Sequence, residues 1–196
     1  MSQPTVQEQA KDITTTFGFW VYIMTDCVLF ATLFATYAVL HHNTFGGPAG
    51  QQLFSLPYVL TETLVLLTSS FTCGLGILAA RAARPRQVLA WFGVTFLLGL
   101  AFLTLELTDF GQMVAAGNSW SRSGFLSSFF TLVGTHGAHI TAGLLWMLVL
   151  IAKVASGGLT RNNIRRLTLL SLFWHFLDLI WIFIFTIVYL FGALGT

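Results

Sequence analysis

Residues 174–181 read Trp-His-Phe-Leu-Asp-Leu-Ile-Trp. The stretch lies near the middle of the last long apolar run and sets an imidazole and a carboxyl among large apolar side chains. An ionisable group at the centre of a bilayer costs about 2.5–3.5 kcal/mol on insertion scales, so such a pair has to be matched. His175 and Asp178 are three residues apart and share one face of a helix. That face is expected to look at protein rather than lipid. The partner the sequence offers is Gly-Thr-His-Gly-Ala-His at 134–139, also in mid-run, with His136 and His139 again three apart. The fold therefore has to bring two apolar helices together around polar groups.

The rest of the chain agrees with a membrane setting. Hydrophobic residues make up 56% of the 196 and charged residues only 8%, against about 25% charged in a soluble domain. An all-α fold is expected, a polytopic bundle of five transmembrane helices. Transmembrane barrels need alternating segments of about ten residues, and the sequence has none. A net charge of +2 gives no footing for nucleic acid. Cys27 and Cys73 sit inside apolar runs without a CxxC or a Cys/His cluster, so they read as buried free thiols.

Five runs are long enough to span a bilayer, at about 17–40, 57–80, 87–110, 124–153 and 165–192. Residues 1–16 form a polar N-terminal tail and 17–196 one transmembrane domain. The tail lacks the basic start and small-residue cleavage site of a signal peptide, so the first run is read as a retained helix. The breaks have physical causes. Gly46-Gly47-Pro48 turns the first link, Pro57 suits the first turn of a helix, and Ser123 is placed to cap another. Every cation except Arg122 falls in the N-terminal tail, the second link or the fourth link. Basic links stay inside, so the N-terminus is expected in the cytoplasm and the C-terminus in the periplasm.

Rise per residue converts sequence into depth. Asp26, His136, His139, His175 and Asp178 then form a central layer, expected to be a buried structural polar core. Glu62, Glu106 and Asp109 form a second layer near the outer surface, with Glu62 and Glu106 predicted to be neighbours. Gly134, Gly137 and Gly143 mark close packing along the fourth helix. Phe125, Phe129 and Phe130 read as facing lipid or a neighbouring subunit. Three membrane histidines also leave open a haem or metal site. The buried acids leave open a proton path or transporter. An accessory subunit that packs on a partner or holds lipid is the third reading. Nucleophile arrangements, phosphate-binding glycine loops and a soluble lobe are absent from the sequence.

Four stretches carry a resemblance. They are GTHGAHITAG at 134–143, WHFLDLIW at 174–181, LFATYAVL at 33–40 and ELTDF at 106–110. With them the chain resembles subunit III of the haem–copper terminal oxidases over about 17–193. Five helices, Asp26 in Met-Thr-Asp-Cys, Thr61-Glu62-Thr63 and RSGFLSSFF at 122–130 make it most similar to the bacterial cytochrome bo-type ubiquinol oxidases. The resemblance implies an accessory subunit with no redox centre and no catalytic residue of its own. Haem and copper are then expected in the catalytic subunit I beside which it packs, and phospholipid is expected in a cleft between helices. It implies support of proton uptake and pumping in the respiratory chain, in a bacterial inner membrane. Asp26 stands where the family carries a buried helix-one carboxyl. Subunit III of a cytochrome c oxidase is the alternative, followed by a haem-binding cytochrome or a transporter.

Overall fold

The computed structural model describes residues 6–44 and 55–194. The Gly46-Gly47-Pro48 turn lies outside the described residues. Among them are five helices long and apolar enough to cross a membrane. We number them α1 (Val6–Leu40), α2 (Leu56–Arg81), α3 (Pro85–Ala115), α4 (Gly124–Gly157) and α5 (Arg161–Ile184). The chain continues from α5 through a wider, π-helical segment, Phe185–Leu190, into a last turn, Phe191–Leu194.

Helix ends follow local chemistry. Pro57 and Pro85 occupy the first turns of α2 and α3, where a missing N–H is harmless. Ser123 caps α4 by accepting a hydrogen bond from the Leu126 amide at 3.2 Å. Three boundaries differ from the sequence expectation. The polar stretch set apart as a tail is already helical from Val6. Helix α3 runs on to Ala115, because Gly117 (φ 80°) turns the chain there and the Asn118 amide returns to the Met113 carbonyl at 3.0 Å. Helix α5 starts at Arg161, because the Thr160 hydroxyl accepts from the Asn163 amide at 3.2 Å. The fourth link is thereby only residues 158–160.

Helices α2, α3, α4 and α5 form a closed ring, with α2 and α3 the most intimate pair. Helix α1 lies outside the ring, against α4 and α5. The residues at 174 and 181 organise the ring. They are seven apart, so both rings point inward from α5, and both are fully buried. Trp174 is clasped between two glycines. A Cβ at Gly99 of α3 would come within 2.8 Å of its ring, and one at Gly143 of α4 within 3.0 Å. Its indole N–H donates to the Ser69 hydroxyl of α2 at 3.0 Å, and Ser69 donates onward to the Thr95 carbonyl of α3 at 3.2 Å. Trp181 donates to the Thr63 hydroxyl of α2 at 3.1 Å and meets Phe102 of α3 edge-on at 4.6 Å. In a bilayer, packing and interhelical hydrogen bonds replace the hydrophobic drive as the force between helices. One helix thus hydrogen-bonds to α2 and packs its two indole rings against α3 and α4.

Two expectations are corrected here. Phe125 and Phe129 belong to the core rather than to a lipid-facing stripe, because they fill the space between α4 and Tyr37 and Tyr189. Cys73 is a buried thiol, whereas Cys27 is exposed on the outer side of α1.

Candidate functional site

The polar residues sort into three groups rather than two layers. The first is at the α1–α4 seam. The His139 Nδ1 lies 2.8 Å from the Thr135 carbonyl, one turn earlier. A carbonyl only accepts, so Nδ1 carries the proton and Nε2 is the open position. Nε2 faces the Asp26 Oδ2 at 3.7 Å, too far for a hydrogen bond. Asp26 is buried, and Phe30 covers the pair, its ring 5.3 Å from the His139 ring. Tyr22, one turn before Asp26, is close enough to interact with the same carboxyl.

The second group is inside the ring. His136 is 0% exposed and stacks on Trp181 at 5.3 Å. The edges of Phe30 and Phe102 close over it, and both its ring nitrogens are buried without a hydrogen-bond partner. Glu106 sits one turn beyond Phe102 on the same face of α3. Its carboxyl fills the notch at Gly137, where a Cβ would be 3.1 Å from Oε1. Glu62 and Glu106 are both buried, and Glu62 and Asp109 are near enough to act electrostatically on Glu106. The Tyr189 phenol is buried among these three carboxyls. Neither Glu106 oxygen has a hydrogen-bond partner, nor does the Glu62 Oε1.

The third group is His175 and Asp178, and here the geometry overturns the expectation. With Trp174 and Trp181 turned inward, the intervening His175 must turn outward, and it is exposed. Asp178 is half-buried. The His175 Nδ1 is engaged with the Ser171 carbonyl of its own helix at 2.6 Å. The pair faces α2, not the α4 histidines. It lines a trough of about 530 Å³ with Ser70, Phe71, Gly74, Leu75 and Leu78.

The central layer is therefore not one cluster. His136 looks at α5, His139 at α1, and His175 away from both. Ligation by two histidines needs rings converging from facing helices, and these three rings do not converge. Among the described residues no group of three or more His, Cys, Asp or Glu side chains is arranged to hold a metal ion. As the described residues stand, His136, His139 and His175 are not arranged as a pair of facing haem ligands. The inward rings of Trp174 and Trp181, and the parts played by Thr95 and Tyr189, are not expected from the sequence, and Thr63 stands there only within a motif. The signal for the tryptophans was their heptad spacing, which puts both rings on one face. No comparable signal marks Tyr189, which reaches the core through the wider winding after Ile184.

Comparison with known proteins adds a second line. The family model for cytochrome c oxidase subunit III matches residues 5–193. The chain is 61% identical over 180 residues to the cytochrome bo(3) ubiquinol oxidase subunit 3 of Pseudomonas aeruginosa, covering 92% of this chain and 86% of that one. It is 51% identical to the protein of the same name from Pseudomonas putida, over 92% of this chain and 87% of that one. It is also 46% identical to the cytochrome c oxidase subunit 3 of Bacillus sp. (strain PS3), over 91% and 86% of the two chains.

Proposed function

The chain belongs to the cytochrome c oxidase subunit III family, and we propose that it is the accessory third subunit of a proton-pumping respiratory ubiquinol oxidase. The electron donor is carried by one observation, the 61% identity along nearly the whole chain to a ubiquinol oxidase subunit 3. In this reading the catalytic subunit I and the other oxidase subunits oxidise quinol, reduce dioxygen to water and move protons. Haem and copper belong to that partner subunit. This chain supplies a rigid apolar body beside it, with phospholipid between helices, and supports proton uptake. The reading is supported by how the polar side chains are spent. His139 and His175 are committed to carbonyls of their own helices, and the indoles of α5 to hydroxyls of α2. Asp26, His136 and His139 then hold helices together rather than bind substrate, and Glu62 of α2 forms a carboxyl cluster with Glu106 and Asp109 in the C-terminal half of α3.

The bacterial inner membrane is the proposed location, with the N-terminus in the cytoplasm and the C-terminus in the periplasm. The cations support this, since Arg81, Arg84 and Arg86 cluster where α2 passes into α3, and Arg161, Arg165 and Arg166 occupy the first turns of α5.

The test is purification from the native membrane through a tag on this chain, followed by a reduced-minus-oxidised spectrum and oxygen uptake. Haem-bearing larger subunits should come with it, and ubiquinol should drive oxygen uptake. Uptake driven by reduced cytochrome c and not by quinol would favour the second reading, a cytochrome c oxidase, which the 46% identity to the Bacillus protein supports. A chain recovered alone, with neither haem nor oxygen uptake, would overturn both.

A further inference from the structure

We infer that the trough between α2 and α5 receives a transmembrane helix of another oxidase subunit, which carries an N–H or O–H donor at the level of Ser70 and Asp178. The inference rests on the reading of the chain as one subunit of an oxidase. Three observations carry it. The first is chemical. Ser70 is 5% exposed, and its hydroxyl lines the trough, near enough to interact with the Asp178 carboxyl but without a hydrogen bond of good geometry. Asp178 Oδ1 is also buried without a partner. Because His175 Nδ1 is engaged with a carbonyl, its Nε2 is an acceptor when the ring is neutral. With the Ser70 O–H as its one donor among the described residues, the trough holds more acceptors than donors and asks for another donor.

The second observation is depth. Ser70 and Asp178 lie near the middles of the apolar spans Leu56–Arg81 and Arg161–Ala193. Acyl chains bring no donor to that depth, and lipid headgroups stay at the interfaces. A polar face left bare there is costly, and such residues pair within protein. The third is shape. No atom lies within 4 Å of where a Cβ would stand on Gly74, so the α2 backbone is open to another backbone, as in close helix packing in membranes. The apolar surface continues beyond the trough on α2 through the exposed Leu64 and Leu67. A second long apolar helix matches that outline.

The experiment uses the whole oxidase in its native membrane. A benzophenone amino acid replaces Phe71, which is 67% exposed at the trough, and in a control replaces Leu145, which is 62% exposed on α4. After irradiation, the tagged chain should gain the mass of a second oxidase subunit from position 71 and not from position 145. In parallel, Gly74→Leu fills the trough without touching the chain's own core. It should lower the partner subunit recovered per copy of this chain about tenfold. Adducts at position 71 with lipid or quinone alone, or full partner recovery with Gly74→Leu, would overturn the inference. If the unaltered chain recovers no partner at all, the oxidase reading fails first. A recovered complex with a silent position 71 sinks only the docking site.

Discussion

The Asp26–His139 pair carries a proton-counting constraint. His139 spends its one neutral N–H on the Thr135 carbonyl, so two acceptors, Nε2 and a carboxylate oxygen, would otherwise face each other at 3.7 Å. A proton or a donor between them resolves the conflict. Asp26→Asn places an amide donor there with the same shape, and thermal unfolding of the purified complex should stay within about 0.5 kcal/mol of the parent. Asp26→Ala removes the carboxyl that faces the half-buried imidazole and empties its site under Phe30, and should cost about 1–3 kcal/mol. If Asn and Ala cost the same, the pair contributes only by its volume. The glycines around Trp174 set a steric constraint instead. Gly143→Ala puts a methyl group 3.0 Å from the indole and about as close to the Phe173 ring, and neither neighbour has a flexible end that can give way. The same unfolding measurement should show a loss of about 1–3 kcal/mol. Gly134→Ala meets only the edge of Phe110 at 3.8 Å and should be nearly neutral, which makes it the control.

At the scale of elements, the ring and α1 are held unequally. The ring is closed by indole and hydroxyl hydrogen bonds, whereas α1 is held at the α4–α5 seam by Asp26 and by Phe30, wedged against both α4 histidines. Phe30→Ala should therefore release α1 before the ring. Hydrogen exchange read by mass spectrometry should rise in peptides of α1 while α2–α5 stay protected; a uniform rise would show that the five helices are one cooperative unit. Most of this level was legible in the sequence. Length and apolarity located all five spans, and Ser123 and Pro57 marked true starts. The ends of α3 and the start of α5 were misjudged because polar residues such as Gln112, Asn162 and Asn163 read as loop, although Gly117 and Thr160 carried the capping signal. The site was less legible than the fold. Spacing shows that His175 and Asp178 share a face, but not which way it points. That was decided by the larger rings on either side, whose burial against Gly99 and Gly143 gains more contact than burying the imidazole would.

At the scale of the whole molecule, the question is how the bundle lies in the bilayer. With Cys27 and Cys73 replaced by alanine, a single cysteine at Ala83 in the basic α2–α3 link should react with a membrane-impermeant maleimide only in inside-out vesicles. One at Ser121, exposed in the α3–α4 link, should react in intact spheroplasts. The reverse pattern would invert the proposed orientation and detach the cation bias from topology. The family resemblance read from GTHGAHITAG and WHFLDLIW agrees with the match of residues 5–193 to the subunit III family. Those motifs were informative because they meet one another, Gly143 of the first making room for Trp174 of the second.

The π-helical stretch Phe185–Leu190 has a consequence for chain length. Ordinary winding returns a side chain to the same face after three or four residues; the wider winding returns it after four or five. Val188 and Tyr189, four and five residues beyond Ile184, are consequently both buried. The stretch behaves as though one residue had been inserted into a regular helix and absorbed as a change of phase. Downstream of it, the helix presents a different sector of its circumference from the one an unbroken α5 would show. Shortening the chain here by a single position would act like turning a key, rotating the last turns and withdrawing the phenol from the three carboxyls while leaving every upstream contact in register.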